Sequence, residues 1–183
     1  VILVSGLGFS GGLTFNVFGT SITLTGLAIA DIKLWVFFYI FIQYLITINM
    51  IIRKRFRCES SHIVRNCTSP RCSHSHHGHS AVIEVFLESN LLDNAQMVYD
   101  FGLMKSTIKQ FVDSMDHCYL LCANDSMEFK DFIKSNCDRW IELPFNPSAE
   151  MLSMFIFSGV SRILENTIFK NGEDYIRVKA VRY

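Results

Sequence analysis

The 183-residue chain has no surplus of charge of either sign: 17 Lys and Arg stand against 17 Asp and Glu. A nucleic-acid partner needs a clustered basic surface to meet phosphates, so this balance argues against one. No internal repeat is visible, which argues against solenoids and propellers. Strand and helix patterns do not alternate along the chain, so a doubly wound parallel sheet is not expected. The six cysteines lack the second close pair that a four-cysteine zinc site requires. Reduced cysteines without a disulfide framework suit a cytoplasmic compartment.

Charge is also scarce locally. Residues 1–50 carry two charged side chains, Asp31 and Lys33, in a chain that is 19% charged overall. From Leu34 to Ile52 the text LWVFFYIFIQYLITINMII is uncharged and is followed at once by RKRFR. Such a run is about long enough to cross a bilayer's hydrocarbon core, and a basic flank suits its cytoplasmic side. The preceding stretch lacks the basic n-region and the small-residue cleavage site of a secretory signal. Its text GLTFNVFGTSITLTGLAIA resembles the membrane-embedded C-terminal region of nucleobase permeases. Two readings follow. Residues 1–49 are either a membrane-spanning anchor or a fusion or gene-boundary segment, with the functional unit, residues 50–183, starting near Met50. A membrane partner is expected only if residues 1–49 belong to that unit.

Beyond residue 50 the density of charge is that of an ordinary globular domain, and elements become readable. RKRFRCESSH alternates, with Phe56, Cys58, Ser60 and His62 on one face, and predicts a strand. Residues 66–76 hold Asn, Thr, Ser, Pro and His and read as a loop. HGHSAVIEVFLES predicts a second strand, with His77, His79, Ala81, Ile83, Val85 and Leu87 on one face. Asp100 can cap a helix running to about Met115. Residues 118–142 look irregular apart from a short helix near Glu128–Ser135. Asn146-Pro147 signals the start of a long apolar helix, Asn171-Gly172 a turn, and YIRVKAVRY a closing strand. The order β, β, α, α, β gives the α+β class with an antiparallel sheet.

Four of the chain's six histidines lie within CSHSHHGHS, residues 72–80. His77 and His79 are two apart on a strand, so they leave it on the same face and one ion can meet both. His62 closes the preceding strand; in a hairpin it faces them. Three neutral imidazoles with one open position form a catalytic zinc set. Three other readings stay open at this point: a disordered His-rich tract that binds metal loosely, a structural zinc site using Cys67 and Cys72, and His74 or His76 in place of His77.

FRCESSH, a cysteine shortly before HGHS, MVYDFGLMK, MDHCYLL and NPSAE, in that order, resemble the 6-pyruvoyltetrahydropterin synthase family over residues 51–183, and most nearly its 6-carboxytetrahydropterin branch in queuosine synthesis. The resemblance implies the tunnelling (T-fold) architecture, a four-stranded antiparallel sheet with two helices on one face. It also implies a homohexamer with active sites between subunits. It implies Zn2+ held by His62, His77 and His79, and catalytic roles for Cys72, as a base, and for the pair Asp116 and His117. Cys67 is the alternative thiol, while Cys118, Cys122 and Cys137 show no metal spacing. The implied substrate is 7,8-dihydroneopterin triphosphate; retention of its side chain as a pyruvoyl group would mark the other branch. Arg53, Lys54, Arg55, Arg57, Arg65 and Arg71 can meet the triphosphate. Family members carry a pterin-anchoring Glu just after the last strand. This sequence ends at Tyr183, so the expectation for these 183 residues is zinc binding with weak turnover.

Overall fold

A computed structural model describes residues 12–17, 20–25, 36–37 and 49–183. The chain divides into two compact units, Val1–Ile48 and Asn49–Tyr183. In the first, strands β1 (Gly12–Val17) and β2 (Thr20–Thr25) pair antiparallel, Gly12 opposite Thr25. Much of the permease-like stretch and of the apolar run 34–52 lies outside the described residues. The end of that run does not: Met50, Ile51 and Ile52 are strand residues paired with Ser89, Glu88 and Leu87. Among the described residues no helix is long and apolar enough to cross a membrane.

The second unit is built on a long hairpin. β3 (Met50–His62) and β4 (His77–Ser89) are each 13 residues and pair antiparallel throughout, from Met50 opposite Ser89 to His62 opposite His77. The alternation in the sequence is the cause. Phe56, Cys58, Ile83, Val85 and Leu87 are buried on one face, where they meet Met104, Ile108, Val112, Ile156, Val160 and Leu164 from the helices. A one-residue slip would turn this whole set out to water.

The sheet has five strands in the order β6-β5-β3-β4-β7, where the family resemblance implied four, all antiparallel. The difference lies in residues 118–142, whose sequence looks irregular. β5 (Cys118–Cys122) pairs parallel with the end of β3, and β6 (Trp140–Leu143) parallel with β5. CYLLC does not alternate because both its faces are covered, as is usual for parallel strands. Cys118 and Leu120 pack on Leu152; Tyr119 and Leu121 pack on Ile133. β7 (Arg177–Arg182) closes the other side, antiparallel to Glu84–Glu88. The fold class is α+β, as the pattern implied.

Helices differ from expectation at their ends. The loop 66–76 contains a four-residue helix, α1 (Pro70–Ser73). Asp100 caps as expected, accepting from Gly102 N, but the helix splits into α2 (Phe101–Ser106) and α3 (Ile108–Asp113). At the break the hydroxyls of Ser106 and Thr107 both bond the Leu103 carbonyl, competing with the helical ladder. α4 (Met127–Asn136) is the short helix expected near Glu128–Ser135. α5 (Ala149–Glu165) is capped by Ser148, not Asn146. The Asn146 amide is engaged elsewhere, with the backbone of Arg65. α2, α3 and α5 cover the hairpin face that carries the core; α4 packs against the side of β5 that bears Tyr119 and Leu121. Gly159 of α5 is required by close approach, since a Cβ there would collide with the Phe111 ring of α3.

Glu88 fastens β7. Its carboxylate is 4% exposed and pairs with Arg177 at 2.7 Å and Lys179 at 3.1 Å. Burial pushes the carboxyl up, but the hydrogen bonds and charges of those two cations outweigh it and leave it below its ordinary 4.5. A depressed folded value means the pair stabilises above the unfolded value and is lost as pH falls through the folded one. Glu88→Gln should therefore cost on the order of 1 kcal/mol at neutral pH, the low end for a charged hydrogen bond because both cations remain largely solvated. Thermal melts at pH 7 and pH 4 check this: the difference between the two proteins should shrink at the lower pH.

Candidate active site

The far end of the β3–β4 hairpin places the histidines. His62 and His77 are directly opposite each other, and His79 is opposite Ser60. All three lie on the face that carries the core, beyond the last apolar side chains, where Phe56, Cys58 and Ser60 give way to His62 on β3 and Ala81 gives way to His79 and His77 on β4. Directly opposed residues bring their Cβ atoms within about 4.5–5.5 Å, and the rings converge accordingly. Ring centroids are 4.7 Å apart for His62 and His77, 5.0 Å for His62 and His79, and 5.1 Å for His77 and His79. One ligand atom from each lies within 4.8 Å of the others.

The donor set fits a divalent metal such as zinc. The buried Nδ1 of His62 has no hydrogen-bond partner. Burial, then the neighbouring His77 and His79, push the His62 imidazole down to about 4, so at neutral pH it is uncharged, as a ligand must be. His77 Nδ1 lies 3.0 Å from the Ser75 carbonyl, which only accepts. The proton therefore sits on Nδ1 and the Nε2 lone pair is left for a metal, the usual outer support of a ligating histidine.

His74 and His76 turn away. His74 Nδ1 is 2.8 Å from the Ser73 hydroxyl, and the His76 ring packs on Tyr119 with centroids 5.1 Å apart. Cys67 and Cys72 stand outside the three-histidine cluster, but both line the same hollow as His62, His77 and His79, a cavity of about 600 Å³. Ser148, Ala149 and Tyr183 complete part of its wall. The Tyr183 hydroxyl is 3.4 Å from Ser60 Oγ. Two buried strand cysteines are held as thiols: burial, then Asp116, pushes Cys58 up to about 12, and burial raises Cys118, whose Sγ bonds the Ser114 carbonyl.

Asp116 and His117 occupy a tight turn between α3 and β5. His117 adopts a left-handed backbone, φ 57°, uncommon for a residue with a side chain. Glu59 of β3 enforces it: its carbonyl accepts from His117 N at 2.6 Å, and its N–H donates to Asp116 Oδ1 at 2.8 Å. Arg139 braces the same turn, donating to the Asp116 carbonyl at 2.9 Å and the Asp113 carbonyl at 3.0 Å. The Glu59 N–H, helped by His117 and Arg139 and opposed by burial, holds the Asp116 carboxyl below its ordinary value. Its Oδ2 is 2.8 Å from His117 Nδ1. An ionised carboxylate only accepts, so Nδ1 carries the proton and Nε2 is free. His117 lines a second hollow of about 570 Å³, together with Glu59, His76 and Arg139. The two hollows share His79 and Ser80, while Cys72 lines only the first and His117 only the second.

Sequence spacing gives no sign of the Glu59 clasp, of Arg139, or of Ser75 behind His77. These depend on main-chain atoms, which any residue type carries.

Residues 51–182 match the sequence model of the 6-pyruvoyl tetrahydropterin synthase family. Over 133 residues the chain is 41% identical to the 6-carboxy-5,6,7,8-tetrahydropterin synthase of Helicobacter pylori strain J99 and 40% identical to that of strain 26695. These alignments cover 73% of this chain and 66% of each relative, so the chain spans a little under two thirds of their length. Among solved structures, an uncharacterized protein from Wolinella succinogenes superposes with TM-score 0.58 at 20% identity, covering 73% of this chain and 91% of that one. Plasmodium falciparum 6-pyruvoyl tetrahydropterin synthase gives TM-score 0.50 at 14% identity, covering 63% and 80%. Those identities speak to the T-fold alone. With the family's sequence model matched over residues 51–182 and the hairpin, helices and histidine cluster in one unit, the chain belongs to the 6-pyruvoyl tetrahydropterin synthase family.

Proposed function

We propose that this protein is a zinc-dependent 6-carboxy-5,6,7,8-tetrahydropterin synthase. The reaction takes 7,8-dihydroneopterin triphosphate and water to 6-carboxytetrahydropterin, acetaldehyde and triphosphate, a carbon–carbon lyase step that feeds queuosine (7-deazaguanine) synthesis. The observation that carries this reading is the convergence of His62, His77 and His79 in a hollow that also holds the Cys72 thiol. The identity to the two Helicobacter synthases supports the carboxy product over the pyruvoyl one.

His62, His77 and His79 hold the metal, which when bound supplies a Lewis acid for the substrate's side-chain hydroxyls. Protein groups move the protons. Cys72, as thiolate, removes a proton from the side chain; Cys67 is the alternative thiol in the same hollow. Asp116 fixes His117 with its proton on Nδ1, so that Nε2 accepts a proton and returns it, and the ionised carboxylate stabilises the imidazolium formed in between.

Cys72 and His117 face different hollows of one chain, which supports an active site completed by a second copy. So does β4: its residues 77–83 have, among the described residues, no strand partner on the side away from β3. A homohexamer with sites between subunits fits both observations. We also infer that residues 50–183 form the catalytic unit, so a chain beginning at Met50 should retain the metal and the fold by metal analysis and circular dichroism.

Three measurements test the reading. Metal analysis should find one zinc per chain, lost in His62→Ala; several weak metals that tolerate the substitution would make this a nonspecific histidine tract. The full-length protein incubated with 7,8-dihydroneopterin triphosphate should release acetaldehyde, whereas a pyruvoyl product without acetaldehyde assigns the other branch. Cys72→Ala and His117→Ala should each be inactive alone. Mixed and allowed to exchange subunits, they should regain about a quarter of wild-type activity if each site draws on two copies. No regain would place the whole site within one chain.

A further inference from the structure

One motif of the sequence remains without a role, the Asn-Pro of NPSAE. Asn146 does not cap α5; its side chain reaches the loop that follows β3. Asn146 Oδ1 accepts from Arg65 N at 2.9 Å, and Asn146 Nδ2 donates to the Arg65 carbonyl. One amide thus satisfies both backbone groups of a single residue 81 positions away, as a strand neighbour would.

Arg65 lies in the chain between His62 and Cys72, which both line the metal hollow. Three residues before it is His62. Next to it, Val64 N donates to the Cys72 carbonyl at 2.8 Å, which fixes the turn carrying that thiol. The Arg65 side chain is itself held, Nε to Asp125 Oδ1 at 2.6 Å, and Asp125 is 8% exposed and anchored by Cys122 N. On the other side of the clasp, Pro147 is buried, and its carbonyl, which can only accept, faces the His62 ring. Ser148 and Ala149 then line the hollow. The clasp therefore joins the α5 entry, the first ligand and the thiol-bearing turn.

We propose that Asn146 is a positioning residue of the metal centre, setting His62 and the Cys72 turn relative to α5 through its two hydrogen bonds to Arg65. This rests on the reading of the three histidines as a metal site. Outer supports of metal ligands matter because a ring left free to rotate loses ligand geometry even when the fold survives.

The test uses the whole chain and measures affinity, not turnover. Asn146→Ala and Asn146→Asp are compared with wild type and with Asn171→Ala. Asn171, in the turn before β7, donates to Asp93 Oδ2 at 2.9 Å and serves as a control for the loss of a part-buried amide. Zinc affinity is read by competition with a chromophoric chelator, ligand geometry by the visible spectrum of the cobalt-substituted protein, and folding by circular dichroism. Asn146→Ala should bind zinc about 10–100-fold more weakly with an altered cobalt spectrum. Asn146→Asp keeps the acceptor for Arg65 N and loses the donor to its carbonyl, so it should fall between. Asn171→Ala should melt earlier yet bind zinc as wild type does. The inference is overturned if both Asn146 variants fold and bind zinc within about twofold of wild type, against the loss expected for an outer support, or if Asn171→Ala weakens zinc equally. If wild type holds no stoichiometric zinc, the metal reading itself has failed, a separate outcome.

Discussion

The register of one hairpin governs the site. His62 opposite His77 and Ser60 opposite His79 follow from the same pairing that sets Phe56 opposite Ile83 and Ile52 opposite Leu87. The apolar residues enforce that register, because a slip by one position would expose Ile83, Val85 and Leu87 together, each 0% exposed in the fold. Burial of a large aliphatic side chain is worth about 1.5–3 kcal/mol. Three of them make the alternative pairing too costly to be populated. The imidazoles contribute little to this choice. They are carried into place by the core, which brings the three histidines together without relying on a metal to do it.

This explains which parts are readable from the residues. The second strand, 77–89, is legible because its alternating positions share one burial pattern, and His77 and His79 fall on its extension. The convergence of His62 needs only the added assumption of a hairpin. The parallel strands β5 and β6 are hidden for a physical reason: CYLLC is buried on both faces, so it lacks a period, and its partners are β3 and β6, from which it is separated in sequence. The α5 cap is misread because Asn146-Pro147 has the right local chemistry for a helix start. A distant residue, Arg65, takes the amide first, and Ser148 is left to cap. Local propensity loses there to a contact 81 residues away.

The Asp116–His117 turn shows a further limit. A carboxylate and an imidazole adjacent in sequence do not ordinarily meet, because neighbouring side chains diverge. Here the left-handed backbone at His117 folds the ring back onto its neighbour, and two hydrogen bonds with the Glu59 main chain, one donated and one accepted, stabilise a conformation that costs of order 1–3 kcal/mol. Strain of this kind persists when the surroundings over-determine it. Glu59 from β3 and Arg139 from the entry to β6 both bond to this turn, so the pair is gripped from two sides of the sheet.

β3 gives these facts a common cause. Its last residue, His62, lines the hollow of the three histidines, while the main-chain N–H and carbonyl of Glu59 hold the Asp116–His117 turn. A single strand thereby supports both chemical groups and keeps them apart. His117 lines one hollow and the Cys72 thiol the other, and the two share His79 and Ser80. In the proposed chemistry, a second copy brings a His117 face to a Cys72 face.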